Sequence, residues 1–238
     1  MFKISNRIIS KITKFGGKRS FSQCGEDLII NYIFSARGIK TPFYFDIGAY
    51  HPEKLSNTNF FYLKGSIGVN IEPNPENFKL FLKKRKRDVN INIGIGVNDT
   101  VLEYYNFHDS TLNTFSTNEY ENFNKLYIDT GSNKYKLKSK SLIEVKEVKK
   151  VIKELNLTKI DLLSIDAEGL DYEILKNWDF YYCLPKIVCV ESVEYSHNGT
   201  GKRRNELVNY LIKKGYLEVA FTGLNSIMVE ALFYNKGA

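Results

Sequence analysis

Phe45-Asp46-Ile47-Gly48-Ala49 decides the fold, because an apolar strand predicted over residues 43–47 ends there in an acid and a permissive glycine turn. Downstream, apolar strands alternate with helical patterns, and further strands are predicted at 67–71, 89–95, 160–165 and 186–190. This rhythm is typical of a parallel sheet with crossover helices. The 238 residues therefore predict one α/β domain with a sizeable core.

Residues outside these strands complete the predicted organisation. Helices are predicted at 28–37, 57–63, 76–86, 143–155, 171–178 and 204–214, with extended segments at 102–107, 216–221 and 227–234. Residues 108–140 are polar and irregular, so we expect an insertion or lid over a cleft. The predicted division is a basic N-terminal segment, residues 1–20, and a single domain, residues 21–238.

The composition excludes several classes of protein. With 43% hydrophobic and 26% charged residues, the chain is neither disordered nor fibrous. Its sequence shows neither an apolar run of about 18 residues nor a secretory signal, which predicts a cytoplasmic protein. The three cysteines lack metal-ligand spacing, so neither a disulfide nor a zinc site is expected.

Positive charge is concentrated in the first 20 residues. The net charge is +7, and this segment carries six basic residues and no acid. The rest is close to neutral, which argues against a nucleic-acid partner. Apolar residues share one side of the segment at helical spacing, so it is either a peripheral contact with an anionic membrane or a helix that packs on the domain or on a second subunit of a homo-oligomer. A second basic run, residues 83–87, is expected to be a solvated helix end.

Acidic residues follow four of the predicted strands. They are Asp46, Glu72, Asp166 with Glu168, and Glu191. One such acid alone is commonly a helix cap or a surface charge. Ligands of parallel α/β sheets bind beyond the carboxyl ends of the strands, so acids at four equivalent strand ends indicate a site.

Gly48 and Glu72 together are typical of a nucleotide-binding unit. The glycine permits close backbone approach, and an acid after the second strand can accept hydrogen bonds from ribose hydroxyls. The two further glycines that seat a pyrophosphate are missing after Gly48, which argues against a nicotinamide-dependent oxidoreductase. A cofactor without phosphates, such as S-adenosylmethionine, fits better.

Five ordered motifs resemble the FkbM family of methyltransferases over roughly residues 20–195. They are Ser22-Gln23-Cys24-Gly25-Glu26-Asp27, Phe45-Asp46-Ile47-Gly48-Ala49-Tyr50-His51-Pro52, Ser56-Asn57-Thr58, Ile71-Glu72-Pro73-Asn74-Pro75 and Ile160-Asp161-Leu162-Leu163-Ser164-Ile165-Asp166-Ala167-Glu168-Gly169. The resemblance implies a class I methyltransferase fold of Rossmann-like type. Its sheet has seven mostly parallel strands, the last antiparallel, with helices on both faces. It also implies S-adenosylmethionine as methyl donor and a sugar or related hydroxyl compound as acceptor.

The resemblance also implies roles for single residues in holding S-adenosylmethionine. Asp46, Gly48 and Ala49 would line its methionine end, Glu72 would accept from its ribose, and Asn74 would help to seat that end. Gly96 and Asn98 would border the adenine. Gln23 and Glu26 are assigned to the same site, with a capping network at a helix entrance as the alternative.

Methyl transfer to a hydroxyl also needs a group that removes the proton. Asp166 and Glu191 resemble, in position, the divalent-metal ligands of catechol-type O-methyltransferases, so Mg²⁺ or another divalent cation is one possibility. A carboxylate or His197 as base is another, and Asp166 with Glu168 ordering the loop and binding substrate hydroxyls is a third. The candidate catalytic set is Asp166, Glu168, Glu191 and His197.

We therefore expect an S-adenosylmethionine-dependent O-methyltransferase. Its expected acceptor is a glycan, such as a sugar of a surface polysaccharide or of its precursor. The alternatives are a methyltransferase of a non-sugar metabolite and a non-catalytic cofactor-binding protein of the same fold.

Overall fold

The computed structural model describes residues 18–167, 169–196 and 201–235. Its strands, in chain order, are β1 (Tyr44–Ile47), β2 (Gly68–Ile71), β3 (Val89–Ile91), β4 (Gly94–Gly96), β5 (Thr100–Phe107), β6 (Leu137–Glu147), β7 (Leu162–Ile165), β8 (Ile187–Glu191), β9 (Tyr216–Phe221) and β10 (Asn225–Glu230). Its helices are α1 (Glu26–Ala36), α2 (Asn59–Leu63), α3 (Pro75–Lys84), α4 (Thr117–Thr130), α5 (Val148–Glu154), α6 (Asp171–Lys176), α7 (Asn205–Lys213) and α8 (Ala231–Asn235).

Over the described ranges, seven strands form the main sheet in the order β3-β2-β1-β7-β8-β10-β9. Neighbours pair in parallel except β10, which is antiparallel to both β8 and β9. The predicted mostly parallel sheet with its antiparallel last strand is confirmed. β1 lies in the middle, where Asp46 is in register with Asn70 on β2 and Ser164 on β7.

Helices cover both faces of the main sheet, as the α/β prediction required. β1 is buried on both sides, and its alternating side chains enter different cores. Phe45 and Ile47 pack with residues of α5, α6 and α7, whereas Tyr44 packs with residues of α1 and α2.

A second sheet, of order β4-β6-β5, flanks the predicted insertion at 108–140 and takes in its last residues. Residues 108–140 are not irregular, because α4 packs against this sheet around a core of its own that contains Tyr105, Phe107, Leu112, Phe123 and Tyr135. The helix predicted at 143–155 is also wrong over its first half. Ile143 and Val145 are buried while Leu142 and Glu144 are exposed. This alternation of period two belongs to β6, which pairs with strands on both sides.

The predicted strand at 89–95 is two strands. β3 pairs with β2 in the main sheet, and β4 pairs with β6 in the second sheet. At the break, the Asn92 side-chain amide donates to the carbonyl oxygens of Glu72 and Pro73 at 2.8 and 2.9 Å. The chain thus crosses from one sheet to the other directly beside Glu72.

Two expectations about charge have different outcomes. The expectation of a solvated basic run at 83–87 is wrong for Arg85, whose side chain is fully buried while its four basic neighbours in the run are exposed.

Residues 1–17, which hold most of the basic N-terminal segment, lie outside the described residues. No helix in the described part of the chain is long and apolar enough to span a bilayer.

Phe123 tests whether the second sheet has its own core. It is fully buried in that cluster, with its ring 5.3 Å from Phe107. Phe123→Ala should lower the free energy of unfolding by about 3–5 kcal/mol, the usual cost of an aromatic cavity, in urea unfolding. Ile128→Ala, on the exposed side of the same helix, is the control and should change it by less than about 0.5 kcal/mol. Equal effects of the two variants would contradict this core.

Candidate active site

A cavity of about 450 Å³ lies where β1, β2, β7 and β8 end. Its size is in the usual range for a small-molecule site. The floor is the carboxyl edge of the main sheet. We call the opposite side the roof, which belongs to the second sheet and the loop after β5 and is formed by Tyr104, Ser110, Thr111, Leu112, Asn113, Thr114 and Phe115.

The Asp46 carboxylate lies in the floor at the end of β1. It is buried, and it accepts a hydrogen bond from Thr58 Oγ1 at 2.8 Å and another from Ser164. Burial raises the pKa of Asp46, while these two hydroxyls and the Arg85 charge act to lower it. Asp46 is therefore a buried acid that depends on its neighbours to stay ionised.

Gly48 allows β1 and β7 to end close together. It has φ of +72°, and a Cβ placed on it would lie 1.9 Å from the carbonyl oxygen of Asp166. Only glycine tolerates both conditions. Gly48 and Ala49 line the cavity, as the sequence suggested. Gly48 also lets the chain after β1 pack directly against the backbone of Asp166.

Glu72 is the most tightly fixed acid of the cavity. Its two carboxylate oxygens accept hydrogen bonds from the backbone amides of Tyr50 and Asn74, at 2.7 and 2.8 Å. Burial raises its pKa to about 8, against the lowering effect of these amides, and the nearby charge of Asp46 raises it further. The Asn77 side chain donates a further hydrogen bond to this carboxylate, and its remaining lone-pair capacity can accept from a ligand hydroxyl.

One contact joins the roof to the floor, and another shapes the roof itself. Tyr50 follows β1 with a φ of 55°, and its hydroxyl lies 3.3 Å from Ser110 Oγ of the roof. Gly94 in β4 lies under Phe115, where a Cβ would come within 2.6 Å of the ring. A larger residue at position 94 would push the roof away from the cavity.

Asp166 and Glu191 lie together at the other end of the cavity. Asp166 is exposed after β7, and Glu191 is half-buried at the end of β8. Burial raises the pKa of Glu191 well above its usual range, and the charges of Asp166 and Asp171 raise it further while Arg204 opposes them. Arg204 in turn pairs with Asp171 at 3.1 Å.

Glu26 does not line the cavity. Its buried carboxylate accepts hydrogen bonds from the Cys24 amide, Thr222 Oγ1 and the Asn225 side chain at 2.7–3.0 Å. Burial acts to raise the pKa of Glu26, but these hydrogen bonds outweigh it and lower the pKa. Glu26 therefore ties the start of α1 to the turn before β10, which agrees with the capping alternative. Gln23, in contrast, is exposed and lines the cavity.

Three further residues expected at the cofactor lie away from the cavity lining. Asn74 caps α3, because its side-chain oxygen accepts from the Glu76 and Asn77 amides, and it reaches the site only through its own amide on Glu72. Gly96 packs against Val145 of β6, and Asn98 is exposed in the following turn. The chain has already turned into the second sheet, so Ile93, Gly94 and Ile95 border the cavity instead.

Glu168 and His197, two candidates for catalysis, lie outside the described residues. Across residues 18–167, 169–196 and 201–235, no group of three or more His, Cys, Asp or Glu side chains is arranged to hold a metal ion. Asp166 and Glu191 are thus the two predicted metal ligands that the structure describes, and a divalent cation stays a prediction.

Sequence reasoning missed the polar residues of the roof and part of the floor. Ser164 and Asn57 line the cavity, with Asn57 Nδ2 donating to Ser164 Oγ at 3.3 Å. Both lie inside motifs of the family resemblance, which was the available signal. The roof residues follow no strand of the main sheet, so the strand-end rule could not find them.

Comparison with known proteins identifies most of the chain. Residues 46–218 match the family model of the methyltransferase FkbM domain. No curated protein matches the chain.

Three solved structures were compared with the fold. A methyltransferase FkbM from Methylobacillus flagellatus KT shares 14% identity at a TM-score of 0.46 and covers 79% of this chain, which spans 43% of that protein. A proposed O-methyltransferase from Klebsiella pneumoniae has 10% identity, a TM-score of 0.44 and coverages of 95% and 89%. A proposed caffeoyl-CoA O-methyltransferase from Staphylococcus aureus has 12% identity and a TM-score of 0.44, and the match covers 96% of this chain and 93% of that one. Likeness at this level supports no conclusion about function.

The raised pKa of Glu72 predicts a pH-dependent stability. The pKa of Glu72 is about 8 in the folded chain and about 4.3 in the unfolded chain. Between these two pH values the folded state therefore holds one more proton than the unfolded state. The free energy of unfolding should therefore fall as pH rises through this window. Urea unfolding between pH 5 and 8.5 should show a shallower fall in Glu72→Gln. The exposed Glu76→Gln variant should keep the wild-type slope, and parallel profiles for all three proteins would contradict the assignment.

Proposed function

Because the chain belongs to the FkbM methyltransferase family, we propose that it transfers a methyl group from S-adenosylmethionine to a hydroxyl of a sugar. The proposed acceptor is a surface polysaccharide or its precursor. The observation that carries the proposal is Glu72, a buried carboxylate fixed by two amides at the end of β2 and facing the cavity.

S-adenosylmethionine would fit the floor of the cavity, and when bound it supplies an electrophilic methyl group on a sulfonium. The lone-pair capacity of Glu72 that its amide donors and Asn77 leave free accepts from the ribose hydroxyls. Asp46 takes the ammonium of the methionine end. The apolar border of Ile93 and Ile95, with Gly94 beneath Phe115, suits an adenine ring.

The roof supports a sugar as acceptor. Its loop after β5 presents hydroxyls and an amide to the cavity, from Ser110, Thr111, Asn113 and Thr114, and Tyr104 adds an aromatic ring. Sites that bind polar ligands combine a few placed hydrogen-bonding groups with an apolar wall. A polyhydroxylated ring can use both.

We assign proton removal to Asp166, with Glu191 beside it. The acceptor oxygen would form the new bond to the methyl carbon as the bond from that carbon to the sulfonium sulfur breaks, which leaves a neutral thioether, while the hydroxyl proton passes to a carboxylate. The charge of Asp166 raises the pKa of Glu191. Two neighbouring carboxylates of this kind share a proton more readily than isolated ones. Such a pair suits removal of the proton from the acceptor oxygen, which becomes positively charged as it bonds to carbon.

The direct test is transfer of label. The purified chain is incubated with methyl-labelled S-adenosylmethionine and fractionated glycans of its host. Label on a sugar hydroxyl is expected, and label confined to non-sugar metabolites would contradict the proposed acceptor.

Glu72→Ala tests the ribose contact. In calorimetry above pH 8, where the wild-type Glu72 is ionised, the variant should bind S-adenosylmethionine more weakly by about 2–3 kcal/mol, the usual cost of a charge-assisted hydrogen-bond pair. Glu76→Ala removes an exposed carboxylate from the first turn of α3 and should leave the affinity unchanged. Wild-type affinity in Glu72→Ala would remove the main support of the proposal.

Asp166→Asn tests the base. Turnover should fall by roughly 10²–10⁴ with little change in cofactor affinity, because the substitution keeps the size and removes the charge. Asp129→Asn, an exposed change on α4, is the matched control. If a chelator abolishes the activity and magnesium restores it, the result supports a metal ion in place of the carboxylate base. Near-normal turnover of Asp166→Asn would contradict both mechanisms.

A further inference from the structure

Arg85 is a buried cation that makes four hydrogen bonds below the cavity. Its Nε donates to Asp88 at 2.8 Å and its Nη1 to the Pro52 carbonyl at 3.0 Å. Its Nη2 donates to both Tyr44 Oη and Thr58 Oγ1, at 2.9 and 3.0 Å. We call Arg85, Asp88, Tyr44 and Thr58 the Arg85 cluster.

Asp88 balances the charge of Arg85 and anchors the cluster. Its carboxylate also accepts from Tyr44 Oη and from the Gly68 amide and Asn70 side chain of β2. The guanidinium lies over the rings of Tyr62 and Tyr44, 4.6 and 5.3 Å from their centroids. A buried ion pair of this kind is weak evidence for stability by itself, so another role for it is worth testing.

Thr58 connects the cluster to the cavity. A threonine hydroxyl has one proton, and an arginine Nη can only donate. Because Thr58 Oγ1 accepts from Arg85, its own proton points to another acceptor. Asp46 Oδ2 lies at 2.8 Å, whereas the alternative partner, Ser56 Oγ, is farther away at 3.4 Å.

We infer that Arg85 is a positioning residue that acts through Thr58 to hold the Asp46 carboxylate ionised and oriented toward the methionine end of the cofactor. This inference rests on the proposed function, since it concerns the same site. Arg85 does not line the cavity; it fixes the direction of the Thr58 hydroxyl, and its charge also lowers the pKa of Asp46 directly.

The environment of Asp46 explains why such help is needed. Burial raises its pKa, and Thr58, Ser164 and Arg85 lower it. The groups that face Asp46 are Thr58 before α2, Glu72 after β2, Arg85 and Asp88 after α3, Ser164 on β7 and Cys189 on β8. Loss of the Thr58 hydroxyl should therefore let the pKa of Asp46 rise further, and binding that needs the ionised form should fail at a higher pH.

Thr58→Val is the test, because it keeps the shape and removes the hydroxyl. Calorimetric titration with S-adenosylmethionine between pH 5 and 9 should show about 10- to 100-fold weaker binding at neutral pH, with recovery at high pH. The carbon-13 titration of the Asp46 carboxyl in the cofactor-free chain should move upward by about one to two pH units. Thr58→Ser should restore both values.

Tyr44→Phe is the matched control. It also removes a buried hydroxyl bonded to Arg85 Nη2, but that hydroxyl does not touch Asp46. The variant should lose stability while the Asp46 titration stays as in the wild type. If Thr58→Val does not fold, Thr58→Cys, a weaker donor and acceptor, gives the same test with a smaller shift.

The outcomes separate the two proposals. An unchanged Asp46 titration in Thr58→Val, or a loss of binding that is equal at every pH, overturns the positioning role. An upward-shifted Asp46 titration in a Thr58→Val chain, when the wild-type chain does not bind S-adenosylmethionine, supports the positioning contact between Thr58 and Asp46 and overturns the proposed function.

Discussion

The in-register pairing of β1 with β2 on one side and β7 on the other is the constraint on which the site depends. The three strands end at one edge of the sheet, so acids far apart in the chain come to the same cavity. The pairing also brings the chain after β1 so close to Asp166 that Gly48 has no room for a side chain. Backbone hydrogen bonds between buried strands therefore fix both the geometry of the floor and the residues that fit there.

Much of the floor could be predicted from the sequence because its signals are local. An apolar run followed directly by Asp46, Glu72, Asp166 or Glu191 is visible in a few residues, and the topology of a parallel sheet then collects the four ends. Gly96 and Asn98 lie away from the cavity lining for a different reason. The chain changes sheets at Asn92, and no local pattern marks a strand that ends in one sheet and restarts in another.

The roof and the Arg85 cluster were less predictable because both depend on distant partners. Ile143 and Val145 become strand residues through pairing with β4 and β5, which overrides a spacing that also suits a helix. Arg85 stands in a basic run that looks like a solvated helix end. Its burial depends on Tyr44 and Thr58, 41 and 27 residues away in the chain. Neither arrangement has a signature within one element.

The second sheet has an evolutionary consequence. It enters the fold at β4 and leaves it at the end of β6, and between these points it keeps an aromatic core of its own. A segment built this way can accept substitutions, or be exchanged between homologues, while the β1, β2 and β7 edge beneath it stays intact. The residues that cover the cavity can then change while those that form its floor are kept, because the two sets belong to separate stretches of the chain.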